Sequence, residues 1–223
     1  MHSRQGHRLK PVTGEQEELR ADARRNRARI VAAAREAFAE DGLEVGVAAI
    51  AERAGVGNAT IFRRFSTKQE LITAVIEQRM SELLATARAA TTGDDPADGL
   101  AVFLDHAVRT HVEDQGLVEC AAAQFHGEPR LVELRDALLA EMTTLLRRAQ
   151  AEGSVRADLE PEDIPVLMFS IAAAAQVVGD RPSGLYRRYL ALALSGLRPH
   201  PDDVPLAPPA PSVEEIDRGF AAR

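Results

Sequence analysis

The sequence predicts an all-α protein, with an N-terminal three-helix helix-turn-helix domain joined to a larger helical domain. Three observations carry this. Apolar residues recur at the i, i+3, i+4, i+7 spacing of a helical face, and the period-two alternation of half-buried strands is absent. Alanine, leucine, arginine and glutamate are abundant while aromatics are only 4% of the 223 residues, a balance that favours helix over sheet. Two short helical patterns also meet at Ala54-Gly55-Val56, where glycine permits a left-handed turn without a Cβ clash. The length suits a small head plus one larger domain with its own core. The divisions are a disordered arm (1–20), the head (21–67), the body (68–198) and a proline-rich tail (199–223).

The arm is polar and contains Gly6, Pro11 and Gly14, as frayed termini do. The first helix spans Asp22 to Asp41, with Ile30, Ala34, Ala37 and Phe38 as its apolar stripe. Gly42 ends it and Leu43 folds back as the cap contact. Arg24, Arg25, Arg27 and Arg29 crowd its start, where cations oppose the helix dipole. Phosphate contact is the functional reading of that run, and a solvated basic turn the bland one.

Val47, Ile50, Ala51 and Ala54 give the second helix its face, and Val56 fills the corner. Gly57 or Asn58 caps the third helix, whose buried side is Ile61, Phe62 and Phe65. That helix starts small or polar, with Asn58, Ala59 and Thr60, and carries Arg63 and Arg64 outward. Small residues allow close approach to base edges in a major groove, and arginines reach phosphate or guanine. An ordinary helical hairpin with a basic end is the alternative.

Thr67 and Glu70 fit a capping box that opens a fourth helix, running to about Ala90. At 1.5 Å per residue it is on the order of 35 Å long and links head to body as one rod. Lys68 at its start suits a phosphate clamp with the free backbone N–H groups. Asp95 and Pro96 open the next helix, to about Gln115. Helices follow at about 117–125, 129–152, 161–179 and 183–197. The 161–179 segment is apolar nearly all round, which demands burial. Together the last two carry more apolar surface than one small domain readily covers, so they fit a four-helix homodimer interface, with an intramolecular core as the alternative. Beyond Arg198, six prolines imply an extended linker. Ser212 and Glu215 suit a last short helix presenting Val213, Ile216 and Phe220, with a disordered tail as the alternative.

Several ordered pieces carry a family resemblance. They are Ile30 to Gly42, Ile50-Ala-Glu-Arg-Ala-Gly-Val56, Thr60-Ile-Phe-Arg-Arg-Phe65 and Lys68-Gln-Glu-Leu71. This run resembles the DNA-binding domain of the tetracycline-repressor (TetR) family of bacterial transcription regulators. The chain departs from the family at Gly57 (usually Ser or Thr), near Gly46 (Thr or Ser), near Ala49 (acidic) and at Phe62 (Tyr). Two caps and one phosphate-contacting hydroxyl are thereby replaced. The Gly153-x-x-Arg156-x-Asp158 turn and the Tyr189 to Arg198 ending look like the SbtR-type C-terminal domain within the family. The resemblance implies DNA-backbone contacts at the start of the first helix and at Lys68. It also implies dimerisation through the last helices, and ligand control of head separation through the fourth helix.

The net charge of −7 is divided unevenly. Residues 1–68 carry thirteen Lys/Arg against nine Asp/Glu, and the remainder fourteen against twenty-five. A basic head on an acidic body presents one end to DNA. The lone Cys120 excludes an internal disulfide and fits a reducing cytoplasm. No secretion signal or membrane-length apolar run is visible.

No catalytic, metal or cofactor site is expected. Cys120 lies near His111 and His126 without a cysteine-hydrolase signature, and suits a buried small hydrophobe. His106 and His111 lie about 140° apart around a helix, poorly placed to share a metal. A helical enzyme or scaffold with an incidental helix-turn-helix is the competing reading.

The expected function is a ligand-responsive regulator, a repressor released from a palindromic operator by a small molecule. DNA-facing candidates are Arg25, Gly57, Asn58, Ala59, Thr60, Phe62, Arg63, Arg64 and Lys68. Asn58, Thr60 and Arg63 are assigned to the bases, and Arg25, Phe62, Arg64 and Lys68 to the backbone. Candidates for an apolar effector pocket are Phe103, His106, Ala107, Cys120, Gln124, Phe125, Met142, Met168, Phe169 and Gln176, with core packing the alternative for each.

Overall fold

The computed structural model of the chain describes residues 14–113, 128–177 and 184–221. All regular elements among them are helices: α1 (Gly14–Asp41), α2 (Val47–Ala54), α3 (Asn58–Phe62), α4 (Lys68–Thr92), α5 (Pro96–Glu113), α6 (Pro129–Ala151), α7 (Asp163–Gln176), α8 (Leu185–Gly196) and α9 (Val213–Ala221). The helix expected at 117–125 lies outside the described residues. None of the described helices is long and apolar enough to cross a membrane.

The head closes around one cluster. Ile30, Val31, Ala34, Ala37 and Phe38 of α1 meet Ile50 and Ala51 of α2, Ile61, Phe65, and Leu71, Ile72, Val75 and Ile76 of α4. One member comes from far along the chain. Leu131, in the first turn of α6, is fully buried in this same cluster. The helix expected at about 129–152 gives no local sign that it begins inside the head.

The body core takes Ala87 and Ala90 from the far half of α4, with Leu100, Phe103, Leu104 and Val108 of α5. Met142, Leu145, Leu146 and Ala149 of α6, Ile164 and Ile171 of α7, and Tyr186 and Leu190 of α8 complete it. So α4 contributes to both cores. Its far end is closed by Arg148 of α6, which donates to the carbonyls of Thr91 and, at 2.9 Å, Gly93. This satisfies acceptors that a helix end leaves without intrahelical partners.

Local signals set the element ends. Gly55 has φ +64°, and the N–H of Val56 reaches the Ala51 carbonyl at 3.0 Å, a left-handed C-terminal cap. Asp95 accepts the N–H groups of Ala97 and Asp98, both at 2.9 Å. Thr67 accepts the Glu70 N–H at 3.1 Å. The Glu70 carboxylate takes the Ser66 N–H at 2.7 Å, one residue before the position the capping box predicts.

One expectation is corrected: residues 14–20, assigned to a disordered arm, belong to α1. Within the single chain, α7 leaves one face uncovered. Val166 (40% exposed), Ser170, Ala173 and Val177 (86%) form an outward stripe, the i, i+4, i+7, i+11 spacing of one face. On α8, Arg188, Ala191, Leu192 (63%) and Ser195 also face out.

Of the two readings left open for the proline-rich tail, the structure shows the one with a last short helix, and part of the linker is held against the body. Arg156 pairs with Asp158 (2.6 and 2.9 Å), donates to the Val204 carbonyl (2.8 Å) and faces Asp203 (3.7 Å). Asp158 accepts the Leu206 N–H at 2.9 Å. These bonds hold the Asp158 carboxyl well below the usual carboxylate range. The tail then ends in α9, opened by reciprocal bonds between Ser212 and Glu215.

Two substitutions test the reading of the helix-turn-helix backbone. Gly55→Ala forces a Cβ into the left-handed region and should cost roughly 1 kcal/mol. Gly57 has extended backbone (φ −75°, ψ 149°), and a Cβ there meets no atom within 4 Å. Gly57→Ser should therefore add a cap to α3 and gain a few tenths of a kcal/mol. Urea unfolding of the two variants should shift in opposite directions.

Candidate nucleic-acid interface

The α2–α3 corner fixes which residues face out. Gly57 stands at the N-cap of α3 and Asn58 is its first helical residue. Ile61 (1% exposed) and Phe65 (3%) are four residues apart and anchor the inner face. Asn58 and Ala59 lie exposed on the other side, and Thr60 is half-buried between.

Phe62 departs from expectation: placed on the buried side by its apolar character, it is 53% exposed. The reason is angular. Phe62 follows Ile61 by 100° around a helix, and Ile61 already points into the core. Its face is therefore that of Asn58 and Ala59, one turn earlier.

Cations flank this face. Arg63 donates to the Thr60 hydroxyl at 3.1 Å, which draws its guanidinium back along α3. Arg64 is exposed, and with Arg27, Phe65, Thr67 and Glu70 it lines a cleft of about 300 Å³ between α1 and the start of α4. Lys68 is half-buried in the first turn of α4, directly after the Thr67 cap.

The arginine run on α1 does more for the fold than the sequence indicated. Arg25 is exposed and paired with Asp22. Arg27 lies over the Phe65 ring, 5.3 Å from its centroid, a cation–π contact. Arg29 donates to the Ala54 carbonyl at 3.3 Å, at the end of α2. Arg53 of α2 meets Glu40 at 2.7 Å and Asp41 at 3.8 Å. These bonds tie α1 to the motif. Their partners are distant in sequence or differ in chemistry, so no local pattern announces them.

Behind the head, Phe103, Ala107 and Met142 lie buried in the body core, and Met168 packs against it. Phe169 meets the His111 ring edge to face, with centroids 4.6 Å apart and planes at 78°. Burial pushes the His111 imidazole down to about 4. His106 is also lowered, by burial and by the charges of Arg109 and Arg79; Arg109 lies 3.1 Å from its Nδ1. The structure thus brings Phe103, Ala107, Met142 and Met168 around one cluster and sets His111 with Phe169. Cys120, Gln124, Phe125 and the Gln176 side chain lie outside the described residues.

Residues 30–75 match the family model for bacterial regulatory proteins of the tetR family. Residues 95–199 match that of the SbtR-like transcriptional regulator C-terminal domain. A TetR transcription regulatory protein from Mycobacterium vanbaalenii is 36% identical, over 81% of this chain and 99% of that one, with a TM-score of 0.63. The chain belongs to the TetR family. Another TetR transcriptional regulator, from Streptomyces coelicolor, is 28% identical over 78% of this chain and 98% of its own, with a TM-score of 0.62. An HTH-type transcriptional regulator of Staphylococcus aureus is 31% identical over 108 residues, 47% of this chain; the chain spans 58% of that relative's length. Within this TetR-family head, Gly57 precedes α3 at its N-cap and Phe62 stands on its outward face.

The depressed His111 sets a direction for acid stability. Its folded value of about 4 lies below the ordinary value near 6.5 that the unfolded chain restores. Between those values the unfolded state binds more protons, so stability is present above about pH 6.5 and is lost as pH falls toward 4. Urea unfolding at pH 7 and at pH 4.5 should show this loss, and His111→Gln should shrink it.

Proposed function

We propose that this chain is a homodimeric, ligand-responsive repressor that binds a palindromic operator with one α3 in each half-site. The observation that carries the reading is the outward face of α3. Asn58, Ala59 and Phe62 project from a five-residue helix, and the exposed Arg63 and Arg64 directly follow it, braced by an apolar core at the basic end of an otherwise acidic chain. Small residues at the start of the helix let it approach base edges, while Arg64 and Lys68 suit the flanking phosphates. A two-fold dimer presents two such helices about one DNA turn apart, or a multiple of it.

The stripe of Val166, Ser170, Ala173 and Val177, continued by Ala191, Leu192 and Ser195, supports the dimer. Small side chains let helices approach closely, and Val177 and Leu192 are large apolar groups left in water. Burying such groups against a second copy is favourable at roughly 25 cal/mol per Å². The isologous contact of a two-fold pair needs one self-complementary patch, which this stripe supplies.

The body is the sensor in this reading. Phe103, Ala107, Met142, Met168 and Phe169, with His106 and His111, give a mainly apolar surround with few polar groups, suited to an apolar effector. Two structural links reach the head from there: α4, which spans both cores, and α6, whose Leu131 ends inside the head. An effector that favours a different α4–α6 arrangement changes the separation of the heads. It must bind that form better than the DNA-bound form, and DNA must then weaken effector binding by the same factor.

Selection of genomic fragments by purified protein, followed by footprinting, tests the reading. A protected palindrome is expected, with affinity falling steeply as salt rises; no enriched fragment at low salt would remove the proposal. On that site Arg63→Ala should relax base preference by about 1–3 kcal/mol at one position per half-site. Lys68→Ala should weaken all sequences alike and lower the salt slope by about one per subunit. Ala173→Glu places a charge in the outward stripe; light scattering should report monomers, and operator binding should fall with them.

A further inference from the structure

We propose that Phe62 reads a thymine methyl group in each half-site, which makes it a sequence-determining residue and not only a backbone contact. The inference deepens the operator-binding reading above and rests on it.

Four observations lead there. Phe62 is a large apolar side chain with 53% of its surface in water, in the last turn of the helix that carries the outward face. It shares that face with Asn58 and Ala59, a turn earlier, both exposed. Ala59 is too small to hold the ring off a base pair. The next two residues, Arg63 and Arg64, are exposed cations, which suit the polar and anionic features of the duplex.

A phenyl ring has no hydrogen-bonding group, so it can recognise neither a phosphate oxygen nor a polar base edge. The apolar feature that distinguishes one base pair from another in the major groove is the 5-methyl of thymine. The exposed ring therefore gains only from apolar contact. The ring is also pre-placed: the inward directions of α3 are taken by Ile61 and Phe65, both buried, so the head holds it outward before DNA arrives.

The competing placement sets the ring against deoxyribose. That contact would be indifferent to sequence, and the two differ at a single methyl group. On the footprinted operator, each thymine is replaced singly by uracil, which deletes the methyl and keeps every Watson–Crick bond. Dissociation constants are measured by fluorescence anisotropy at one salt concentration, for the full-length dimer and for Phe62→Ala and Phe62→Leu.

For the native protein, one thymine per half-site should stand out, its replacement weakening binding about fourfold, the worth of one buried methyl. Replacing both symmetry-related thymines should cost about fifteenfold. Phe62→Ala should bind uracil and thymine operators equally, while Phe62→Leu keeps part of the discrimination. Unchanged thermal melting confirms that the variants fold, as an exposed position should allow.

A flat uracil scan in the native protein overturns the proposal, as does equal sensitivity in native protein and Phe62→Ala, or a half-site without thymine under α3. Uniform weakening of all duplexes by Phe62→Ala, with a flat scan, assigns the ring to the sugar–phosphate backbone. Failure to recover any operator sinks the operator-binding reading itself, and is seen with unmodified DNA before the scan begins.

Discussion

The structure depends on one shared helix. The first half of α4 supplies Leu71, Ile72, Val75 and Ile76 to the head, and its far half supplies Ala87 and Ala90 to the body. A continuous helix does not kink sharply without disturbing its i to i−4 bonds, so its two ends are mechanically coupled. Packing then removes the remaining freedom. Leu131 of α6 is sealed in the head core, and Arg148, near the other end of α6, holds the terminal carbonyls of α4. The two helices are thus joined near both ends. A change of angle between them has to alter the head core or the terminal bonds, and close-packed interiors respond to such demands by discrete rearrangement.

Much of this was legible in the sequence because it is written locally. Gly55 at a left-handed corner, Asp95 before Pro96, Thr67 with Glu70 and Ser212 with Glu215 are all contained within four residues, and each sets a helix end where expected. What the sequence hid depends on position in space. Nothing near Leu131 marks it for the head instead of the body. Arg27 and Arg29 look like a phosphate-binding run until Phe65 and the Ala54 carbonyl come within reach. Which residues of α7 form its outward stripe was not legible, because composition does not separate a face packed on its own chain from one left open.

The recognition face shows the same limit in sharper form. Hydrophobicity alone put Phe62 inside, beside Ile61 and Phe65. Three residues clustered within five cannot all share one direction at 100° per residue, and the core keeps the two that are four apart. The excluded ring becomes the most apolar feature of a surface otherwise made of Asn58, Ala59 and arginines. Gly57 works the other way. By omitting a capping side chain it leaves the entry to α3 less firmly set than a serine would, and the motif relies more on Ile61 and Phe65 for its geometry.

The anchored tail has a practical bearing. The 23 residues of α6 begin at Pro129, two before Leu131 in the head, and end ahead of the turn bearing Arg156, on the order of 35 Å at helical rise. Arg156 and Asp158 clasp residues 203–206 at that distant end. A fluorophore, affinity handle or surface linker joined to the tail is thereby stationed a full helix length from α3. Immobilising the protein through this end leaves the recognition helices free to meet long DNA, and places the attachment close to α7 and α8, where it would register pairing of subunits before it registered anything at the duplex.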